Sequence, residues 1–194
     1  MALFLGSPAA AVEAAIAMQE ELTAAHLTTD AHTPVVIGVG VHVGDVMMCT
    51  VGESERFEAT VISDAVNLTA RLESLSKQLR CRLLVSADVV PHLPESVRAL
   101  SRQVGSFAVK GKAHSVDVVE VFAADPEPLR ALKAASRPAF ELALALACAG
   151  DLADSVGRLQ ALAEQAPDDG PLAWWLSHLR REWEQPCSTL NHGV

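Results

Sequence analysis

The sequence predicts an α+β fold, in which an α/β sandwich with a mixed and mainly antiparallel sheet is followed by an all-α segment. Two observations predict it. Short β-branched runs and helical apolar stripes succeed one another up to residue 122, which is typical of helices layered on a sheet. After residue 123 the strand patterns stop and helical periodicity dominates. Apolar residues make up 50% of the chain, enough to fill a sizeable core.

Charge and cysteine content restrict the class of protein. The formal net charge is −9 and the pI is about 5.2, which argues against a nucleic-acid or membrane-surface partner. No apolar run approaches the roughly 18 to 20 residues that span a membrane, and the N-terminus lacks the basic region of a signal peptide. The cysteines lie far apart without metal-ligand spacing, which favours reduced thiols and a cytoplasmic location; they are Cys49, Cys81, Cys148 and Cys187.

The first third of the chain predicts one helix and three strands. Ser7, followed by proline, is a usual start for a helix, and an apolar stripe continues to residue 27. Residues 35–52 are rich in β-branched side chains and predict two strands joined tightly near Gly44 and Asp45. Residues 56–62 alternate in polarity and predict a third strand.

The middle third predicts a helix, a buried strand and a hairpin. Asp64 suits the N-cap or first turn of a helix that runs to about Leu79. Residues 81–86 predict a short buried strand, and residues 104–122 predict a hairpin whose turn contains Lys110.

The last third predicts helices. Residues 123–138 are punctuated by proline and predict a linker or a capping helix. Residues 139–185 predict three helices separated by Gly-Asp and Pro-Asp-Asp-Gly-Pro turns, similar to one tetratricopeptide-like unit, and residues 186–194 predict a flexible tail. The third helix carries tryptophans that indicate packing on a neighbouring helix or, alternatively, docking of a protein partner: Trp174, Trp175 and Trp183.

Asn67 and Arg71 are candidate functional residues on the predicted helix that begins near Asp64. Positions four apart lie on the same helical face, so both side chains can reach one ligand. An arginine guanidinium matches phosphate geometry and stays charged, and an asparagine amide can orient a sugar oxygen. On spacing alone, a solvated surface face explains the pair equally well.

An ordered set of motifs gives the pair a context. Residues 40–46 ("GVHVGDV") are followed by residues 56–62 ("RFEATVI"), residues 64–73 ("DAVNLTARLE") and the closing hairpin with its "KGK" turn. In this order and spacing they resemble the second half of the class III adenylate/guanylate cyclase catalytic domain. The resemblance covers about residues 1–122, with "MALFLGSP" similar to a strand and helix start of that family. It implies a ferredoxin-like, cyclase-type sandwich that is incomplete at its N-terminus.

The resemblance implies roles for four residues. Asn67 would orient the ribose and Arg71 would stabilise the transition-state phosphate, as the catalytic pair. Lys110 would meet the polyphosphate and Thr60 the purine edge, as substrate-binding residues. The implied reaction converts ATP, less favourably GTP, to the 3′,5′-cyclic monophosphate and pyrophosphate.

The resemblance also implies a dimeric site and a divalent metal. The family binds Mg²⁺ or Mn²⁺ through two aspartates in segments upstream of the position of Met1, so we expect the metal to be held by a missing half or by a partner subunit. We expect a homodimer or a complete cyclase-domain partner. Cys49 and Ser63 stand where the family usually has glycine. Two alternatives are a catalytically inactive dimerisation and helical-repeat module, and a nucleotide-binding domain without turnover.

Overall fold

A computed structural model describes residues 1–25, 35–53, 56–107 and 115–184 of the chain. Helices and strands alternate in these ranges as the sequence pattern predicts. The helices are α1 (Pro8–Ala24), α2 (Asp64–Gln78), α3 (Glu95–Arg98), α4 (Glu127–Cys148), α5 (Leu152–Gln165) and α6 (Gly170–Glu184), with a 3₁₀ helix at Ala87–His92. The strands are β1 (Val39–Val41), β2 (Met47–Glu53), β3 (Arg56–Ile62), β4 (Leu83–Ser86), β5 (Ser101–Phe107) and β6 (Val116–Val121).

The strands form a four-stranded sheet in the order β1-β4-β6-β5 and a two-stranded sheet of β2 and β3. β1 runs parallel to β4, whereas the β4–β6 and β5–β6 pairs are antiparallel. The sheet is therefore mixed and mainly antiparallel, and the predicted fold class is confirmed.

The predicted pairing around Gly44 and Asp45 is wrong. β1 does not pair with β2; it pairs with β4, and β2 pairs with β3. The connection between β1 and β2 is held instead by His42, whose Nδ1 lies 2.7 Å from the Ser86 hydroxyl at the end of β4. A tight hairpin would place β2 beside β1 in the same sheet, whereas β2 and β3 form a separate two-stranded sheet. The strand that the resemblance of "MALFLGSP" implies is also absent from the described residues, in which regular structure begins at α1.

The four-stranded sheet has a hydrophobic core on each face. β4 alternates between them, because successive side chains of a strand point to opposite faces: Leu83 and Val85 pack with α1, and Leu84 packs with α2. The core on the α2 face also contains buried residues of all three C-terminal helices, namely Phe140, Ala143, Leu144, Val156, Leu159, Leu172 and Leu179. The C-terminal helices therefore complete the core of the sheet.

Helix α4 runs without interruption from Glu127 to Cys148, with Pro138 inside it. Most of residues 123–138, predicted as a linker or a capping helix, are thus helical, and the boundary expected at residue 138 falls within a helix. α4 is anchored along the sheet, with Phe140 fully buried, so packing compensates for the backbone hydrogen bond that proline removes. The turns at Gly150 and before Gly170 lie where the sequence predicts them.

A buried ionic cluster joins the sheet to the C-terminal helices. Arg102 of β5 donates to both carboxylate oxygens of Asp169, which precedes α6, at 2.7 and 2.5 Å. Its Nε donates to Glu120 of β6 at 2.8 Å. Lys133 of α4 donates to the other Glu120 oxygen at 2.7 Å and to Asp125 at 2.6 Å. All five side chains are almost entirely removed from solvent, so two cations and three carboxylates satisfy one another in the interior.

The carboxylates hold both cations in their charged form. Burial alone would lower the pKa of Arg102 and of Lys133, because a low-dielectric interior disfavours charge. The negative charge of Glu120, joined by Asp169 for Arg102 and by Asp125 for Lys133, outweighs that effect and raises both pKa values above their ordinary range.

Helix α6 makes a second connection to β5 through Trp175. Its indole nitrogen donates to the carbonyl oxygen of Val104 at 2.6 Å. The next residue, Gly105, has a φ of 123° at a β-bulge, and a Cβ there would lie 2.6 Å from the Trp175 ring. Trp174 stacks on His178 at 4.8 Å between ring centroids. The expectation that these tryptophans pack on a neighbouring helix is thus corrected for Trp175, which packs on a strand.

Candidate active site

Ser63 fixes the start of α2, the helix that carries the candidate catalytic pair. Its hydroxyl accepts a hydrogen bond from the Ala65 amide at 3.0 Å, as an N-cap does. The same hydroxyl donates to the carbonyl of Asp45, which ties the helix to the segment after β1. Ser63 has an extended backbone with φ of −170°, so serine causes no backbone strain here and glycine is not required at this position.

Glycines in β1 and in the segment after it let α2 pack directly against the backbone of these residues. A Cβ at Gly40 would lie 2.6 Å from both the Thr69 carbonyl oxygen and the Glu73 amide nitrogen of α2. A Cβ at Gly44 would lie 2.8 Å from the Ala65 side chain. Real Cβ atoms do not approach so closely, so both positions require glycine if α2 keeps its place. The glycine-rich stretch thus sets the position of α2.

Asn67 and Arg71 lie one turn apart on α2, as the spacing predicts. Leu68 and Leu72, on the neighbouring face about 100° around the helix, are buried in the core. Asn67 is exposed and Arg71 is partly buried. Among the described residues, no side chain or backbone group hydrogen-bonds or pairs with either of them. Both side chains are therefore available to a ligand.

Of the two predicted substrate-binding residues, the structure describes the position of Thr60 and not that of Lys110. Thr60 lies in β3, opposite Cys49 of β2, in the hairpin that leads directly into α2. Lys110 lies outside the described residues. The structure thus places Asn67, Arg71 and Thr60 on consecutive elements of the chain and does not test their roles.

The residues that the structure describes do not fit a divalent metal. No group of three or more histidine, cysteine, aspartate or glutamate side chains in these ranges could hold an ion. Asp64, in the first turn of α2, and Asp45, whose carbonyl accepts from Ser63, are both exposed. Mg²⁺ prefers several oxygen ligands in octahedral geometry, so ligands for such an ion would have to come from other residues.

Sequence reasoning missed two contributors to this arrangement. Ser63 was noted only as a departure from glycine, and its bond to the Asp45 carbonyl had no sequence signal. The packing role of Gly40 had a detectable signal, since glycine recurs at alternate positions beside valines.

The described residues contain no helix of sufficient length and hydropathy to cross a membrane.

Known adenylate cyclases are similar to this chain over well more than half of its length. An adenylate cyclase of Anabaena cylindrica is 39% identical over 132 residues, which are 62% of this chain and 26% of that protein. A terminal-differentiation-specific adenylate cyclase of Dictyostelium discoideum is 31% identical over 162 residues, which are 83% of this chain and 8% of that protein. The chain therefore spans only a small part of these relatives.

A solved structure and a family model complete the comparison. The structure of a bacterial light-regulated adenylyl cyclase matches 59% of this chain and 33% of its own, with a TM-score of 0.49 and 26% identity. The model of the adenylate and guanylate cyclase catalytic domain matches residues 6–122. That range contains the glycine-supported helix with Asn67 and Arg71 and is more than half of the chain. The chain belongs to the adenylate and guanylate cyclase catalytic domain family.

Proposed function

We propose that this chain supplies the Asn/Arg half of a dimeric nucleotide cyclase site, which converts ATP, less favourably GTP, to the 3′,5′-cyclic monophosphate and pyrophosphate. The observation that carries the proposal is the free pair Asn67 and Arg71 on a helix that glycine contacts hold against the sheet. The pair lies within the range that matches the family model.

The chemistry of the pair fits ring closure. The 3′-oxygen of the ribose attacks the α-phosphorus, and the bond to the pyrophosphate breaks. Arg71 stabilises the negative charge that spreads over the phosphoryl oxygens, because its guanidinium stays charged and can form two parallel hydrogen bonds. Asn67 holds the ribose so that the attacking oxygen is in line. Thr60 contacts the purine edge and Lys110 the polyphosphate.

A second subunit completes the site in this proposal. It is another copy of this chain or a complete cyclase domain. The ligands for Mg²⁺ or Mn²⁺, the ions expected from the family, come from the complete domain or from residues outside the described ranges. No mechanistic step is assigned to the metal, since the described residues do not hold one. The complex acts in the cytoplasm as a source of cyclic nucleotide for signalling.

A complementation assay tests the proposal. The chain is mixed with a complete cyclase domain whose own asparagine and arginine are replaced by alanine, and cyclic AMP is measured with Mn²⁺ and ATP. We expect product only in the mixture. Arg71→Ala should lower the rate by about 10²- to 10³-fold, as loss of a transition-state hydrogen-bond donor does. Ser74→Ala, an exposed change on the same helix, is the matched control and should leave the rate unchanged.

The alternative is an inactive cyclase-like dimerisation and helical-repeat module. It is favoured by the lack of a metal-binding set in the described part of the chain. Association of the two chains in sedimentation, with no cyclic nucleotide and no effect of Arg71→Ala, would establish this alternative. Product formation that depends on Arg71 would exclude it. A parallel reaction with GTP measures the base preference.

A further inference from the structure

A cavity of 810 Å³ lies away from the catalytic pair, where three parts of the fold meet. The C-terminal end of α2 forms one wall, the first turns of α4 form a second, and the turn between α5 and α6 forms a third. Its size is within the range of pockets that hold small molecules, which is roughly 300 to 1,000 Å³.

The cavity is positively charged in an acidic protein. Lys77, Arg80 and Arg82 line it from the end of α2 and the start of β4. Of the two acidic residues in the lining, Asp125 pairs with the buried Lys133 at 2.6 Å and lies 3.8 Å from Arg82 Nε, and the other is Asp168. Arg82 also donates to the Thr23 hydroxyl and the Ala124 carbonyl, so Arg80 is the cation of the lining without a partner among the described residues. The formal net charge of the whole chain is −9, so this concentration of cations stands out. It attracts an anion.

Arg80 is the cation best prepared to bind. It has a φ of 51°, and among the described residues it is the single non-glycine residue with a positive φ. Helix α6 holds this backbone in place: a Cβ at Gly170 would lie 2.5 Å from the Arg80 carbonyl oxygen. The positive φ belongs to the C-terminal cap of α2, in which the Arg80 amide donates to the Lys77 carbonyl at 3.2 Å and the Cys81 amide to the Ser76 carbonyl at 3.0 Å. The cap fixes the backbone from which the Arg80 side chain projects. No group in the described ranges pairs with the Arg80 side chain, whereas Lys77 pairs with Glu73 at 2.6 Å.

The opposite wall is apolar. Leu129 and Leu132 of α4 face the cavity together with Pro126, Pro128 and Pro167. Leu132 is 39% exposed, although it lies on a helix that otherwise packs on the sheet. Cys81 lies in the lining as a neutral group, because burial raises the pKa of its thiol. An apolar surface beside a few convergent cations is the composition of a site for an amphipathic anion.

We propose that this cavity binds a small amphipathic anion, an aliphatic chain with one carboxylate or phosphate head group. The head group lies at Arg80, and the chain lies against Leu129 and Leu132. Such a ligand contacts α2, α4 and the α5–α6 turn at once, so it fastens the helix of the candidate catalytic pair to the C-terminal helices. Binding does not depend on whether the chain has cyclase activity.

Calorimetric titration of the full chain tests the proposal. The probes are octanoate and octyl phosphate, which share a chain and differ in head group, so their relative affinities identify the preferred anion. Neutral 1-octanol, acetate and inorganic phosphate each lack one half of the ligand. We expect one equivalent of octanoate or octyl phosphate to bind at least tenfold more tightly than any of these three. Equal affinity for 1-octanol, or no binding of either probe, would overturn the proposal.

Two pairs of variants locate the site. Arg80→Asn removes the cation while keeping a residue that tolerates the left-handed backbone, and it should weaken binding by about tenfold or more, as loss of a charge-assisted hydrogen bond does. Arg181→Gln, an exposed arginine of α6, should leave the affinity unchanged. Leu132→Asp should weaken binding by at least as much, whereas Leu142→Asp, at an exposed leucine of the same helix outside the lining, should not. Equal effects within either pair would contradict the placement.

Discussion

Replacement of Arg102 by methionine tests how the sheet and the C-terminal helices are joined. The guanidinium donates two hydrogen bonds to Asp169 and one to Glu120. The side chains of Arg102, Asp169 and Glu120 are at most 1% exposed. Methionine fills similar space without a donor, so both carboxylates lose their arginine partner in the interior. Breaking a buried ion pair from one side costs about 3 to 5 kcal/mol. Because a domain of this size is stabilised by roughly 5 to 15 kcal/mol, a large part of the stability should be lost.

A second substitution separates the charge effect from simple loss of packing. Asp169→Asn keeps the oxygen that accepts from the Leu172 amide at 3.3 Å, so the start of α6 stays capped. In the native background it should destabilise by about 1.5 to 3 kcal/mol, because Arg102 loses charge-assisted bonds. In the Arg102→Met background it should stabilise, because the unpaired carboxylate disappears. The two effects of one substitution therefore have opposite signs.

Urea unfolding followed by circular dichroism and tryptophan fluorescence measures both quantities. All three tryptophans lie in α6, so fluorescence reports on the C-terminal helices and circular dichroism on the whole fold. Coincident transitions are expected if helices and sheet unfold as one unit. Arg98→Met is the control, since Arg98 is 43% exposed and pairs with Glu95 on the surface, where such a pair contributes about 0 to 1 kcal/mol. A loss below about 1 kcal/mol for Arg102→Met, or the same sign for Asp169→Asn in both backgrounds, would refute the reasoning.

The remaining predictions concern glycines, thiols and pH. Gly40→Ala should cost about 1 to 3 kcal/mol by overpacking and abolish complementation by displacing α2, whereas Gly157→Ala, with nothing within 4 Å, should stabilise α5 by about 0.5 to 1 kcal/mol in urea unfolding; equal effects would contradict the packing argument. In a variant whose two other cysteines are serine, a thiol reagent should modify exposed Cys148 in the native protein and buried Cys81 only after unfolding; rapid double labelling would be the contrary result. The folded state raises the pKa of Cys81 by burial and, despite burial, that of Lys133 through its carboxylates, so both groups bind their proton more tightly when folded. Stability from these groups should thus be complete near neutral pH and fall above about pH 9, and a urea midpoint that rises there would contradict this sign.

Local patterns predicted local structure well. The alternation of residues 56–62 and the acidic start at Asp64 gave β3 and α2 almost residue for residue, because strand and helix signals there depend on neighbours in sequence. The pairing of β1 was not predictable in this way. Its partner β4 is more than forty residues away, and Gly40, which pairs with Leu84, also packs closely against α2, so the contacts of β1 are long-range.

For the candidate site, too, features that depend on neighbours in sequence were predictable, and contacts between distant residues were not. The spacing of Asn67 and Arg71 follows from helix geometry, and their context follows from the ordered motifs. The buried ionic cluster was not predicted from the sequence. Glu120 and Lys133 are residue types that are usually exposed, and only the fold buries them together. Buried charges give no periodic signal, since each of them comes from a different element.

The pairing of Arg102 with Asp169 spans 67 residues, which has a consequence for synthesis of the protein. At about 5 to 20 residues per second, a ribosome needs roughly 3 to 13 s to make the intervening chain. During that interval β5 and β6 are complete, but one side of the sheet still lacks the helices that cover it, and its arginine lacks a partner. Until α6 emerges and closes the fold, the nascent sheet therefore exposes apolar surface that favours aggregation.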